Sequence, residues 1–140
     1  MSLTPLLTAS PFIQVHASAA LLALGLGCAQ LSLPKGTLPH RGIGLVWVVL
    51  MAVTALSSFW IHTLCMVGPF SPIHILSIIT LMALPVAVLA ARRHQIRQHA
   101  HAMKLLFIGA LVIAGLFTLL PGRIMHDVVF GTTSAHGSCS

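Results

Sequence analysis

The chain has 140 residues, of which 57% are hydrophobic and only 6% charged, with a mean hydropathy of +1.02; soluble domains carry about 25% charged residues, so an ordinary water-soluble fold is excluded. The net charge of +6 does not point to nucleic acid, because the basic residues lie between apolar blocks rather than on one soluble face. Asp127 is the one acidic residue, which excludes paired-carboxylate catalysis and hard-cation sites built from acidic oxygens.

Four apolar blocks of roughly 20 residues each have the length a helix needs to cross the hydrocarbon core, and no strand alternation competes with them. The expected fold is all-α, an integral membrane four-helix bundle forming one domain over residues 1–140. The opening residues contain no Lys or Arg before the first apolar block, so the first helix is expected to be retained and not cleaved as a signal peptide. Helix one is predicted from about Phe12 to Leu33, stopped by Pro34-Lys35-Gly36. Ala19, Ala23 and Gly27 recur on it at every fourth position, a spacing that lets another helix approach closely. Helix two is predicted over about residues 42–64, with His40 and Arg41 at its mouth and Trp60 as an interfacial belt residue. Helix three is expected over about residues 73–91, started by Ser71-Pro72 and kinked at Pro85. The polar stretch from Arg92 to Lys104 reads as a loop, helix four covers about residues 105–120, and residues 121–140 form an interfacial segment and tail.

Six basic residues, Lys35, Arg41, Arg92, Arg93, Arg97 and Lys104, fall in the first and third loops, against Arg123 alone on the other side. The positive-inside rule therefore places those loops in the cytoplasm and both chain ends outside, in a bacterial inner membrane that the chain crosses several times. Cys65 and Cys139 then share the oxidising side and are candidates for pairing, while Cys28 is expected to be packed in helix one.

Nine histidines in so uncharged a chain demand an explanation. His16, His62, His74 and His126 fall near the outer helix ends, and His40, His94, His99 and His101 near the inner ones. A shift of 58 residues carries His16 onto His74 and His40 to within one residue of His99, as parallel repeats of a helical hairpin would. Two facing histidines from different helices are the arrangement that gives haem b both axial ligands, which makes His16 with His74 and His40 with His99 the candidate pairs. His101 is the alternative to His99, since the two cannot both face the bundle. Haem propionates would suit Arg41, Arg97 or Arg123. The plainer alternative is that the histidines and arginines are interfacial anchors. A copper or zinc site at His99-Ala100-His101 with Met103 is less specific, because one loop supplies two imidazoles and no cysteine is near. No nucleophilic triad, phosphate loop or dinucleotide fingerprint occurs.

His16, the His40-Arg41-x-x-Gly44 start of helix two, the Ala90-Ala91-Arg92-Arg93 exit of helix three and the His99-x-x-x-Met103 entry of helix four resemble an uncharacterised family of four-helix bacterial membrane proteins, over about residues 12–131. The chain departs from that pattern at Pro121-Gly122-Arg123. The family is similar in layout to the transmembrane di-haem cytochromes b. That resemblance implies a haem-b-binding electron-transfer protein linked to quinone. The alternative is a non-catalytic accessory subunit, packed in the lipid bilayer against a larger respiratory or photosynthetic complex or another copy of itself through Ala19, Ala23, Gly27, Gly109 and Ala114. A transporter is disfavoured, because the one carboxylate is expected near the membrane surface.

Overall fold

A computed structural model describes residues 4–61, 72–120 and 124–131. The described residues form helices and no strand: α1 (Thr4–Leu7), α2 (Pro11–Ser32), α3 (Leu38–Ser57, extended by a 3-10 turn over Ser58–Trp60), α4 (Pro72–Arg92), α5 (Ile96–Leu105), a π-helical stretch (Leu106–Ile113), α6 (Ala114–Phe117) and α7 (Ile124–Phe130). α5, the π stretch and α6 run on as one fourth helix. Four helices are long and apolar enough to cross a membrane: Pro11–Ser32, Leu38–Trp60, His74–Arg92 and Ile96–Phe117.

Two helix starts differ from the sequence reading, and α3 with its 3-10 turn ends at Trp60, short of the expected residue 64. α3 starts at Leu38 because Thr37 accepts the His40 amide at 3.4 Å as an N-cap and Pro39 fits the first turn. The left-handed Gly36, at φ 84°, turns the chain into that cap, and Lys35 Nζ closes α2 on the Leu31 carbonyl at 2.6 Å. The fourth helix begins at Ile96, well before the expected residue 105. The break after α4 is local, with His94 at φ 57°. Beyond it Arg, Gln, Ala, Met and Lys are all good helix formers, so polarity marks the membrane edge and not the helix end. α4 runs unbroken through Pro85.

α2 packs on α3, α3 on α4, and α4 on the fourth helix, which returns to α2 through the π stretch. The backbones of α2 and α4 do not approach each other, nor do those of α3 and the fourth helix, so these are the diagonal pairs. The short helices α1 and α7 pack on each other. The core between the ends is an apolar plug of Ala23, Trp47, Met51, Leu84, Leu106, Phe107 and Leu111. Trp47 Nε1–H donates to the Ala23 carbonyl at 2.9 Å, which satisfies its polar edge inside the bundle. Gly27 lets α2 come close: a Cβ there would stand 2.4 Å from the Phe107 ring and 2.9 Å from Trp47 Nε1. The large side chains on the outside, among them Leu22, Leu45, Ile75, Met82 and Leu116, are exposed, as lipid-facing residues of a membrane bundle are.

The small-residue stripe of α2 is thus used within the chain. Ala19, Ala23 and Gly27 are all buried in the bundle, so that face has no room for a partner subunit. Cys28 is exposed rather than packed, because it lies off this stripe. Cys65 and Cys139 lie outside the described residues.

Candidate functional site

Each core helix presents one inward stripe at three- and four-residue spacing, save one five-residue step from Leu106 to Leu111 in the π stretch, and each stripe carries one of the four candidate histidines. On α2 it runs His16, Ala19, Ala23, Gly27, Gln30; on α3, His40, Gly44, Trp47, Met51, Ala55, Ser58. On α4 it runs His74, Ser77, Thr80, Leu84, Ala87, and on the fourth helix His99, Met103, Leu106, Leu111. The apolar plug separates His16 and His74 at one end from His40 and His99 at the other, the end that bears the basic residues. Each pair comes from diagonal helices.

At the basic end, His99 Nδ1 lies 2.9 Å from the Ala87 carbonyl. A carbonyl only accepts, so Nδ1 carries the proton, and in the neutral ring Nε2 holds the lone pair. His40 is half-buried at the same end, on α3. His40 Nδ1 is buried without a hydrogen-bond partner, and so is the neighbouring Gln30 Oε1. α5 packs on α4 alone and stays clear of the α2 and α3 backbones, so the two hairpins diverge where His40 and His99 stand. His101 is exposed and His99 half-buried, so His99 is the more enclosed of the two. His94, Arg41 and Arg97 are exposed at this end, and Arg123 lies outside the described residues, as do His62 and His136.

At the opposite end the polar groups are more numerous and more buried. Ser57, Ser58, His74, Ser77 and Thr80 are all buried. Ser57 donates to the Thr54 carbonyl at 3.1 Å, so its oxygen is free to accept from His16 Nδ1–H, also at 3.1 Å. With the Ser57 proton on Thr54, the His16 tautomer is that of His99. Ser58 donates to the Ala55 carbonyl at 2.7 Å and its oxygen lies 2.5 Å from Ser77 Oγ, which ties α3 to α4. The His74 ring rests against Phe59, 5.6 Å between centroids. No hydrogen bond or ring contact joins His16 to His74; the last turn of α3 serves each of them separately. The hydroxyl cluster was missed from sequence, although His74, Ser77, Thr80, Leu84 and Ala87 at helical spacing were there to be read as a half-polar inward stripe.

Near this end Trp60 is exposed and stacked on Phe12, 5.6 Å apart, at the rim of an apolar groove, as an interfacial belt residue would be. Asp127 is buried within the protein in α7, outside the four apolar spans, with His126 Nδ1 3.6 Å from its carboxylate.

Among the described residues no three His, Cys, Asp or Glu side chains converge, so the His99-Ala100-His101 region does not gather a set of copper or zinc ligands. Two imidazoles suffice for haem, whose ring supplies the other donors.

The family model described as predicted membrane protein, DUF2306, matches residues 13–137. The chain belongs to this family. No curated protein matches it, and no solved structure does. Membership brings the membrane setting and no activity, so function has to be argued from the two ends of the bundle.

Proposed function

We propose that this DUF2306 protein binds haem b between its diagonal helices and passes electrons within the bacterial cytoplasmic membrane, with a quinone as redox partner. What carries the reading is the position of the four imidazoles: each stands at the end of an inward stripe, two at each end of an apolar plug. The residues fit the group best at the basic end. There His99 presents Nε2 with its lone pair, His40 is half-buried on the diagonal helix, and the hairpins diverge.

His40 and His99 would hold this haem, with Arg41 at the same end placed for a propionate. His16 and His74 are the matching pair at the other end, His16 already holding the required tautomer through Ser57. Bound haem would supply a reversible one-electron iron couple. The chain's own part is to orient the imidazoles through their Nδ1–H bonds, since a ligand whose other ring nitrogen is fixed is a stronger and better aligned donor. The plug of Trp47, Met51 and Phe107 keeps the ends apart and dry.

The test is a reduced-minus-oxidised absorption spectrum of protein purified from cells supplied with haem. A b-type band in the wild type that weakens in both His40→Ala and His99→Ala is expected. Protein that carries no haem with all four histidines intact would overturn the reading.

A further inference from the structure

Among the described residues, the buried side-chain polar atoms without a hydrogen-bond partner are Gln30 Oε1 and His40 Nδ1. They sit on residues that are already joined, because Gln30 Nε2 donates to the His40 carbonyl at 2.7 Å. That carbonyl only accepts, so chemistry fixes which way the amide faces. The result is an acceptor oxygen with no donor on one residue and an unmatched ring nitrogen on the other. A single proton on Nδ1, shared with Oε1 directly or through one water, would satisfy both, and an unmade bond in so apolar a setting is costly for each.

Gly44 makes room for this arrangement. It lies one turn after His40 on the same stripe, and a Cβ there would stand 2.7 Å from Gln30 Nε2, closer than real side chains come. Since the atom in the way ends a flexible side chain, a methyl group at position 44 would push the amide aside rather than break the fold. The spacing His40-Arg41-x-x-Gly44 thereby acquires a physical reason.

We propose that Gln30 is a positioning residue for His40: its amide, held on the His40 carbonyl in the space Gly44 leaves open, takes the Nδ1 proton and presents Nε2 with its lone pair. Three histidines then share one tautomer on three different acceptors, the Ala87 carbonyl for His99, the Ser57 hydroxyl for His16 and the Gln30 amide for His40. The use of that lone pair rests on the haem reading, whereas the tautomer does not.

The experiment has two arms, run on Gln30→Leu, Gln30→Glu, Gly44→Ala and wild type, with helix content and thermal midpoint as fold controls. In protein that holds haem, losing the acceptor makes His40 a weaker donor. The midpoint potential of the basic-end haem should therefore rise in Gln30→Leu and Gly44→Ala and not in Gln30→Glu, which keeps the acceptor oxygen. In protein that holds none, ring-nitrogen NMR of labelled histidine should find His40 protonated at Nδ1 in wild type and Gln30→Glu, and at Nε2 in Gln30→Leu. Failure to take up haem together with these tautomers would remove the haem reading and leave the positioning role standing. A potential or a tautomer unchanged between wild type and a folded Gln30→Leu would overturn the positioning role and leave haem binding untouched.

Discussion

The two ends of the bundle solve the same problem in opposite ways. At the hydroxyl end, Ser57 and Ser58 each send their proton to a carbonyl of their own helix and turn their oxygen towards a neighbouring one, so α2, α3 and α4 are tied together by side chains that hold their partners. At the basic end, His99 is fixed, but His40 Nδ1 and Gln30 Oε1 are buried and unmatched and the hairpins diverge. A satisfied polar cluster in lipid holds helices together; a Gln30 amide that takes the His40 Nδ1 proton instead orients one ring and leaves its Nε2 lone pair to a ligand. The comparison assigns structure chiefly to one end and binding chiefly to the other.

The largest effect that tests this contrast is expected from His40→Ala. It should abolish the basic-end share of the haem difference band, with the helix content kept. His16→Ala should spare that share. Equal loss from both substitutions would remove the distinction between the ends.

Next comes the plug between them. Gly27→Ala sets a methyl group against the Phe107 ring and Trp47 Nε1, and overpacking of this kind costs about 1–3 kcal/mol. Thermal unfolding in detergent should fall accordingly, with both ends affected alike. A variant as stable as wild type would show that Phe107 has room to move.

Ser58→Ala should cost less, about 0.6 kcal/mol and at most about 1.7 kcal/mol, the average and maximum for side-chain hydrogen bonds between membrane helices. It should leave the basic-end haem band unchanged. Loss of that band without loss of stability would mean that the hydroxyl end is a binding element after all.

The smallest effect concerns orientation. A cysteine at Gln95 is expected to resist an impermeant thiol reagent in intact cells, because six of the seven Lys and Arg residues lie at that end. Labelling from outside would exchange the two compartments without altering the bundle.

The existence and number of spans were legible because hydropathy over 20 residues is a strong signal in a chain this apolar. Their limits were not. Residues 96–104 are polar and helical at once, and hydropathy sees only the first property; the start of α3 was written in Thr37 and Pro39, which a hydropathy window averages away. The histidines were legible as an excess, but a sequence does not say where a ring nitrogen's proton goes. That depends on the Ala87 carbonyl, twelve positions away, and on Ser57, forty-one positions from His16. Gln30 was passed over because a lone glutamine in an apolar helix carries no pattern. Its meaning lies in the His40 carbonyl and the space over Gly44.

The π-helical stretch at Leu106–Ile113 sets the angular phase of the fourth helix. Closing its bonds over five residues instead of four accommodates surplus chain within a continuous helix, so the residues before and after it are out of step with a single α-helical period. His99 and Leu111 both face inward across that slip. Were the same residues wound as an ordinary α-helix, with none removed, everything on one side would turn by about 100° against the other. The plug would keep its leucine while His99 swung towards lipid, so the stretch acts as the phase-setting element by which one span serves two ends.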